Sequence, residues 1–222
     1  MKARIHEVFE SIQGEGYYLG EKQVFVRFFG CNLNCRFCDT KLDAFSEYDP
    51  RELFDEIMLY GSDHHSVSFT GGEPLLQAAF LRDILRLIQS EGVKNYLETN
   101  GTLVGELEAV IDLVDIVAMD VKLPSSTGMP HFWGLHRRFL KVASRKEVFL
   151  KAIISSGTSQ EDLKEALSVI KDVNNAALLV LQPNAQERHL LQEKMENFKQ
   201  ICRDQGVSAC VIPQMHKIIG VR

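Results

Sequence analysis

Three cysteines stand within one short segment, Cys31-Asn32-Leu33-Asn34-Cys35-Arg36-Phe37-Cys38, spaced by three residues and then by two. Thiolates are the soft ligands that iron–sulfur clusters take, and four of them close the coordination of a cubane. Three leave one iron open to chelate a substrate or cofactor. The loop is short, so its sulfurs can converge without help from distant chain, and Phe37 is placed to shield one cluster face. A structural zinc site is the competing chemistry, but zinc closes at four ligands, commonly as two Cys-x2–4-Cys halves. The second half is missing: Cys202 and Cys210 lie far downstream and read as core thiols of a helix and a late strand. His64 and His65 precede the second strand-like run, at the opposite rim.

The elements that position this loop can be read from periodicity. Strand-like runs occur at 23–29, 66–70, 95–99, 116–121, 147–154 and 177–182. Helix patterns lie between them. Asp49-Pro50-Arg51-Glu52 opens one, and Pro74 starts a second with Leu75, Phe80, Leu81, Ile84, Leu85 and Ile88 on one face. Ser159 caps a third that runs to about 171, and 185–203 reads as a long polar-faced helix. Alternation of strand and helix implies parallel strands with right-handed crossovers. About six units are too few for a closed eight-stranded barrel. The expected fold is therefore α/β, a partial, about six-stranded, parallel open TIM-like barrel in one domain over 1–222.

Chemistry in such sheets sits at the C-terminal strand ends, and the unusual residues fall there. Gly30-Cys31 follows the first run, Gly71-Gly72-Glu73-Pro74 the second and Asn100-Gly101 the third. Lys122-Leu123-Pro124 follows the fourth and Pro183-Asn184 the sixth. The segment 125–138, with Trp133 and two histidines, has the least pattern and reads as a loop over the site.

Composition bounds the remaining possibilities. The 222 residues are 45% apolar and 25% charged, with a net charge of −5. That mild acidity argues against a dominant attraction to nucleic acid. No apolar run approaches the roughly 20 residues of a membrane helix, and Met1-Lys2-Ala3-Arg4-Ile5-His6-Glu7 has no signal-peptide core. A cytoplasmic protein with reduced thiols is expected. Five cysteines, an odd number with three clustered, point to a metal site over a disulfide framework.

The cysteine spacing with an aromatic before the last thiol resembles the radical S-adenosylmethionine (SAM) superfamily. Further segments match its pattern in order. Gly71-Gly72-Glu73-Pro74 resembles the motif that meets the methionine amino group, and Glu98-Thr99-Asn100-Gly101 the ribose-contacting segment. Asp120, Lys122 and Gln182 fall where that family also meets its cofactor, as do Phe37, Cys38 and Asp39 beside the cluster. Read as residues alone, the glycine motif is also an ordinary turn before a helix, and Asp120 with Lys122 an ordinary solvated strand end. A narrower resemblance lies in Phe9-Glu10-Ser11-Ile12-Gln13-Gly14-Glu15-Gly16, Val26-Arg27-Phe28, Cys38-Asp39-Thr40 and Pro213-Gln214-Met215-His216-Lys217. These are similar to the 7-carboxy-7-deazaguanine synthase family, carbon–nitrogen lyases of queuosine and deazapurine biosynthesis, over essentially the whole chain.

That resemblance implies a [4Fe–4S] cluster on Cys31, Cys35 and Cys38, bound SAM, and Mg²⁺ at Thr40. Ile12, Gln13, Gly14 and Glu15 would meet the rings of 6-carboxy-5,6,7,8-tetrahydropterin; Arg27 would meet its carboxylate, with Thr70 and His216 as further contacts. Gln13-Gly14-Glu15-Gly16 alone also reads as a flexible turn, Thr40 as a cap beside Asp39, and His216 as a surface residue. An arginine inside Val24-Phe25-Val26-Arg27-Phe28 is harder to explain without function, because a buried cation is costly unless paired. The implied reaction begins with hydrogen abstraction by a 5′-deoxyadenosyl radical and proceeds through ring contraction with loss of ammonia. A one-electron donor such as flavodoxin is implied, since the chain has no second cluster motif, and a homodimer by analogy. The alternatives are a small glycyl-radical activating enzyme, with the same cysteine triad, and a non-enzymatic iron–sulfur or zinc protein.

Overall fold

The computed structural model describes residues 1–40 and 42–220. Their strands form one nine-stranded sheet. In chain order the first elements are β1 (Ala3–Ile12), β2 (Lys22–Phe28), β3 (Ser46–Tyr48), α1 (Pro50–Met58), β4 (Ser66–Gly71), α2 (Ala78–Ser90) and β5 (Lys94–Thr99). There follow α3 (Val104–Glu108), β6 (Ile116–Asp120), α4 (Pro124–Thr127), α5 (Trp133–Ala143), β7 (Glu147–Ile154) and α6 (Gln160–Val173). The chain continues with β8 (Leu179–Pro183), α7 (Gln192–Asp204), β9 (Ala209–Val211) and α8 (Met215–Ile219). Spatial order is β3-β1-β2-β4-β5-β6-β7-β8-β9. From β2 onward through β4–β9 the strands are parallel, whereas β1 is antiparallel to both of its neighbours.

The six runs read from sequence are β2 and β4–β8. The expected strand count is corrected upward by β1, β3 and β9. β3 and β9 have three residues each, too short for a period to register. β1 carries Arg4, His6, Glu7 and Glu10 among its apolar positions, which hides its alternation. The long helix expected over 185–203 is also corrected: a 3₁₀ turn at Arg188–Leu190 precedes α7 and leaves Leu190 exposed. Likewise 125–138 is not a loop; it contains α4 and the start of α5.

Successive strand residues point to opposite faces, and here the two faces differ in kind. Val24, Val26, Phe28, Val67, Phe69, Val117, Leu150 and Leu179 face the helices, meeting Leu53 and Ile57 of α1, Leu81 and Ile84 of α2, and Leu167 of α6 in the main core. The other face holds a smaller cluster of Tyr96, Ile116, Ala118, Phe149 and Val180. Two residues further along each strand that face turns polar. Tyr96 is followed by Glu98, Ala118 by Asp120, Phe149 by Lys151 and Val180 by Gln182. An apolar floor toward the strand starts and a polar wall toward their C-terminal ends result from the same two-residue period.

Helix starts are locally specified. Asp49 and Glu52 form a reciprocal capping box on α1, and the Ser159 hydroxyl accepts from Asp162 N on α6. On α5, His136 is fully buried beside the Asn100 backbone. Burial pushes its pKa down from the ordinary 6.5 to about 4. Between these values the unfolded chain binds a proton that the native state refuses, so stability falls as pH drops through this window. Between pH 7 and 4 the wild type is expected to lose ~3 kcal/mol more than His136→Phe. Urea midpoints of both proteins at several pH values check this.

Candidate active site

A cavity of about 670 Å³ opens at the C-terminal ends of the parallel strands. Cys31, Cys35 and Cys38 all stand in its wall, and all three are free thiols. Their loop is anchored from two sides. Arg36 N donates to Thr127 O of α4 at 2.8 Å, and Asn100 Nδ2 donates to Asn32 Oδ1 at 2.8 Å. Asn100 also brings its Nδ2 to 3.9 Å from Cys31 Sγ. Burial raises the pKa of Cys31 and Cys35. Among the described residues no three Cys, His, Asp or Glu side chains are already drawn into a metal-binding group. The thiols share a wall without being closed on one point.

Gly71, which ends β4, and Gly72, which follows it, stand where their backbone touches the end of β2 and the residues after it. A Cβ on Gly72 would lie 1.9 Å from Gly30 O, and one on Gly71, at φ +125°, would lie 2.3 Å from Phe28 O. Backbone cannot yield as a flexible side chain does, and Gly71 sits where L-residues are strained. Gly72→Ala is expected to push the cysteine loop outward, costing about 1–3 kcal/mol as overpacking. A lowered urea midpoint together with reduced iron retention after reconstitution checks it.

The floor of the cavity is a polar network. Lys151, only 5% exposed, places Nζ 2.8 Å from Glu15 Oε2, 3.6 Å from Asp120 Oδ1 and 3.7 Å from Glu98 Oε2. Lys122 pairs with Asp120 at 2.7 Å and lies over the Phe37 ring. Gln13 Nε2 donates to Gln23 Oε1 and Glu98 Oε1, both at 3.0 Å, while Gln13 Oε1 accepts from Glu15 N at 3.0 Å. Burial pushes the Glu15 carboxyl upward, and the Lys151 ammonium, with hydrogen bonds from Lys151 and Gln214, more than reverses this. The result is a pKa well below the usual carboxylate range. Burial opposes ionisation of Asp120 as well, and Lys122 and Lys151 again hold its pKa down.

Most of the residues singled out from sequence meet in this cavity. Ile12, Gln13, Gly14, Glu15, Arg27, Thr70 and His216 line it, as do Phe37, Cys38, Asp39, Thr40, Gly71, Gly72, Glu98, Asn100, Asp120 and Lys122. Glu73 and Gln182 do not. The Glu73 carboxylate is fully buried and accepts from Leu75 N, Thr99 Oγ1 and Asn100 N at 2.7–3.1 Å, so it ties two strand ends together. Gln182 is buried behind the wall with its amide beside the Glu15 carboxylate. Glu98 accepts from Gln13 and, at 3.3 Å, from Thr70 Oγ1, two of the expected substrate contacts. Arg27 is paired with Glu7 at 2.7 Å.

Sequence reasoning missed Lys151, Glu7 and Gln214 as wall residues. Gln214 Nε2 donates to Glu15 Oε1 at 2.6 Å, and Lys217 pairs with Asp39. Met215 N donates to Gly14 O, and a Cβ on Gly14 would strike His216, so α8 and the segment before it close one side of the cavity.

Comparison with known proteins agrees with this geometry. The family model of the Radical SAM superfamily matches residues 25–192. A 7-carboxy-7-deazaguanine synthase of Geobacter sulfurreducens is 34% identical, covering 98% of this chain and 97% of that one. One of Archaeoglobus fulgidus is 35% identical over the full length of both. The chain belongs to the 7-carboxy-7-deazaguanine synthase family. The fold also matches the crystal structure of QueE from Escherichia coli, with a TM-score of 0.68 at 20% identity, covering 95% of this chain and 93% of that one.

Membership in this radical SAM family implies a [4Fe–4S] cluster and SAM. The residues present fit that pair. Three soft thiolate donors share one wall, and no fourth joins them, since Cys202 is buried on α7 and Cys210 lies on β9. Beside them, the tight glycine turn and the Asn100 amide leave backbone and side-chain polar groups facing the same space.

Proposed function

We propose that this chain converts 6-carboxy-5,6,7,8-tetrahydropterin to 7-carboxy-7-deazaguanine with loss of ammonia. The observation that carries the reading is that the cysteine triad and the Gln13–Glu15–Gln214 group line one cavity. Cys31, Cys35 and Cys38 would hold the cluster, and Gly71, Gly72, Asn100, Asp120 and Lys122 the SAM. Bound there, these groups supply one-electron chemistry that removes a hydrogen atom from carbon.

The chain's own residues bind and orient. Glu15, Glu98 and the backbone at Gly14 face the N–H and carbonyl edges of the heterocycle. Arg27, already steered by Glu7, meets the carboxylate, and its aromatic neighbours Phe9 and Phe25 shield that end from water. Thr40 would hold Mg²⁺ through one oxygen, the rest of its shell being substrate and water. The enzyme would act in the cytoplasm as a homodimer, reduced by an external one-electron donor such as flavodoxin. Neither nucleic acid nor membrane enters the reading, and no helix among the described residues is long and apolar enough to cross a membrane.

The test is an anaerobic assay of reconstituted protein with SAM, dithionite, Mg²⁺ and the carboxytetrahydropterin, read by mass spectrometry. Appearance of 7-carboxy-7-deazaguanine is expected. A protein that cleaves SAM but never converts the pterin would retain the superfamily chemistry and lose this substrate.

A further inference from the structure

Lys151 is a cation in the middle of an apolar strand, Phe149-Leu150-Lys151-Ala152-Ile153. Burying an ammonium costs several kcal/mol unless partners offset it. Its partners come from three separate segments, the turn after β1, the end of β5 and the end of β6. Only one contact has hydrogen-bond length, the 2.8 Å to Glu15; the other two are longer than 3.5 Å. Glu15 in turn accepts from Lys151 on one oxygen and from Gln214 on the other, and it lines the cavity; a carboxylate oxygen can accept more than one hydrogen bond.

We propose that Lys151 is a positioning residue for the substrate: its ammonium keeps the Glu15 carboxylate charged and in place, so that Glu15 accepts the adjacent N–H donors of an amidine- or guanidine-like heterocycle edge. This rests on the substrate reading above and deepens it, because the 2-amino-pyrimidine edge of a pterin presents that pair of donors. An ionised carboxylate accepting two charge-assisted hydrogen bonds binds such an edge far better than a protonated one.

The other charged and titratable groups near Glu15 are accounted for. Glu98 and Asp120 reach it through Lys151, and Lys122 is committed to Asp120. Tyr96 lies below on β5, Asp39 is reached through Gln214 and is paired with Lys217, and His216 packs on Gly14. Lys151 is the cation that touches Glu15. Without it, burial is opposed only by the neutral hydrogen bonds of Gln214 and Gln182, and Glu15 takes up a proton at a higher pH than in the wild type.

The experiment is the pH dependence of KM for 6-carboxy-5,6,7,8-tetrahydropterin between pH 5.5 and 8.5, on reconstituted holoenzyme, with SAM cleavage measured in parallel. The wild type is expected to show no ionisation of Glu15 in this range. Lys151→Met is expected to raise KM about 10- to 100-fold at pH 7, with KM recovering as the pH rises. SAM cleavage should persist, and Lys151→Arg should restore the wild-type profile. A purely structural lysine would move stability but not the shape of this profile. A Lys151→Met KM parallel to that of the wild type at every pH overturns the proposal. So does a wild-type KM that rises on acidification through pH 6–7 and no longer does so in Glu15→Gln, a measurement that stands even if Lys151→Met does not fold. Failure of the wild type to convert the pterin at all would instead overturn the substrate reading.

Discussion

Cys35→Ala is expected to abolish product formation and iron retention while leaving the apo fold in place. Cys35 is half-buried in the cavity wall, and its sulfur packs into neither apolar cluster. Its backbone sits in a turn, with Cys38 N donating to Cys35 O at 3.1 Å, and the Arg36–Thr127 bond secures the loop independently of any thiol. Loss of one sulfur therefore changes apo stability by no more than about 0.5 kcal/mol, the scale of a surface substitution. Cluster assembly is different, because in the proposed ligand set three thiolates would be the whole protein contribution to the cubane and no fourth thiol stands in the wall to replace one. Iron and sulfide content, turnover and the urea midpoint of the apo protein, measured side by side, separate the two effects. A variant that kept its iron and its turnover would remove Cys35 from the ligand set.

The second large effect is expected in stability. Lys151→Met leaves Glu15, Glu98 and Asp120 without their common cation, and removing one partner of a buried ion pair typically costs 3–5 kcal/mol. A marginal native state holds about 5–15 kcal/mol in total, so the urea midpoint should fall sharply. The pH dependence should also change sign. In the wild type the depressed pKa values of Glu15 and Asp120 contribute stability at neutral pH that is lost as the pH falls below the ordinary carboxylate range. In the variant, burial raises the Glu15 pKa above its unfolded value, so the native state binds the extra proton and mild acidification from pH 7 to 5 should stabilise it. Urea titrations at pH 5, 6 and 7 decide the matter. A variant that is destabilised by the same amount at all three would mean that the ammonium was not what kept these carboxylates ionised.

Lys151 also shows what was legible in the sequence and what was not. Like Arg27, Lys151 is a cation inside an apolar strand, and that alone marks it in the sequence as a residue in need of buried partners. The six parallel strands were readable because each is a short apolar run bounded by turn residues. Glycine and asparagine after β4 and β5 marked the rim because only the rim needs tight, polar turns. Gln214 was a different case. Its role depends on a partner at the other end of the chain, and local composition carries no trace of so distant a contact. Glu98 lies on the expected wall, but its hydrogen bonds to Gln13 and Thr70 were not legible, since strand order specifies the rim and the side-chain neighbours depend on register. Glu73 reads like a ligand-facing acid in its motif, but Leu75 N just beyond the motif and Thr99 Oγ1 and Asn100 N at the end of β5 occupy it.

The hydrogen bond from Gln214 to Glu15 joins residues 199 apart in sequence. Closing such a contact comes late in folding, because the entropy of the intervening chain must be overcome first and parallel pairings of high contact order are slow. During synthesis the cysteine loop leaves the ribosome with β1 and β2, long before β5, β6 and β7 exist to complete the floor beneath it. The thiols are then borne on a hairpin without a pocket, exposed to stray metals and oxidants. A site whose last wall arrives with residues 214–217 is best loaded after translation has passed them, so cluster insertion would track completion of the fold and not the emergence of its ligands.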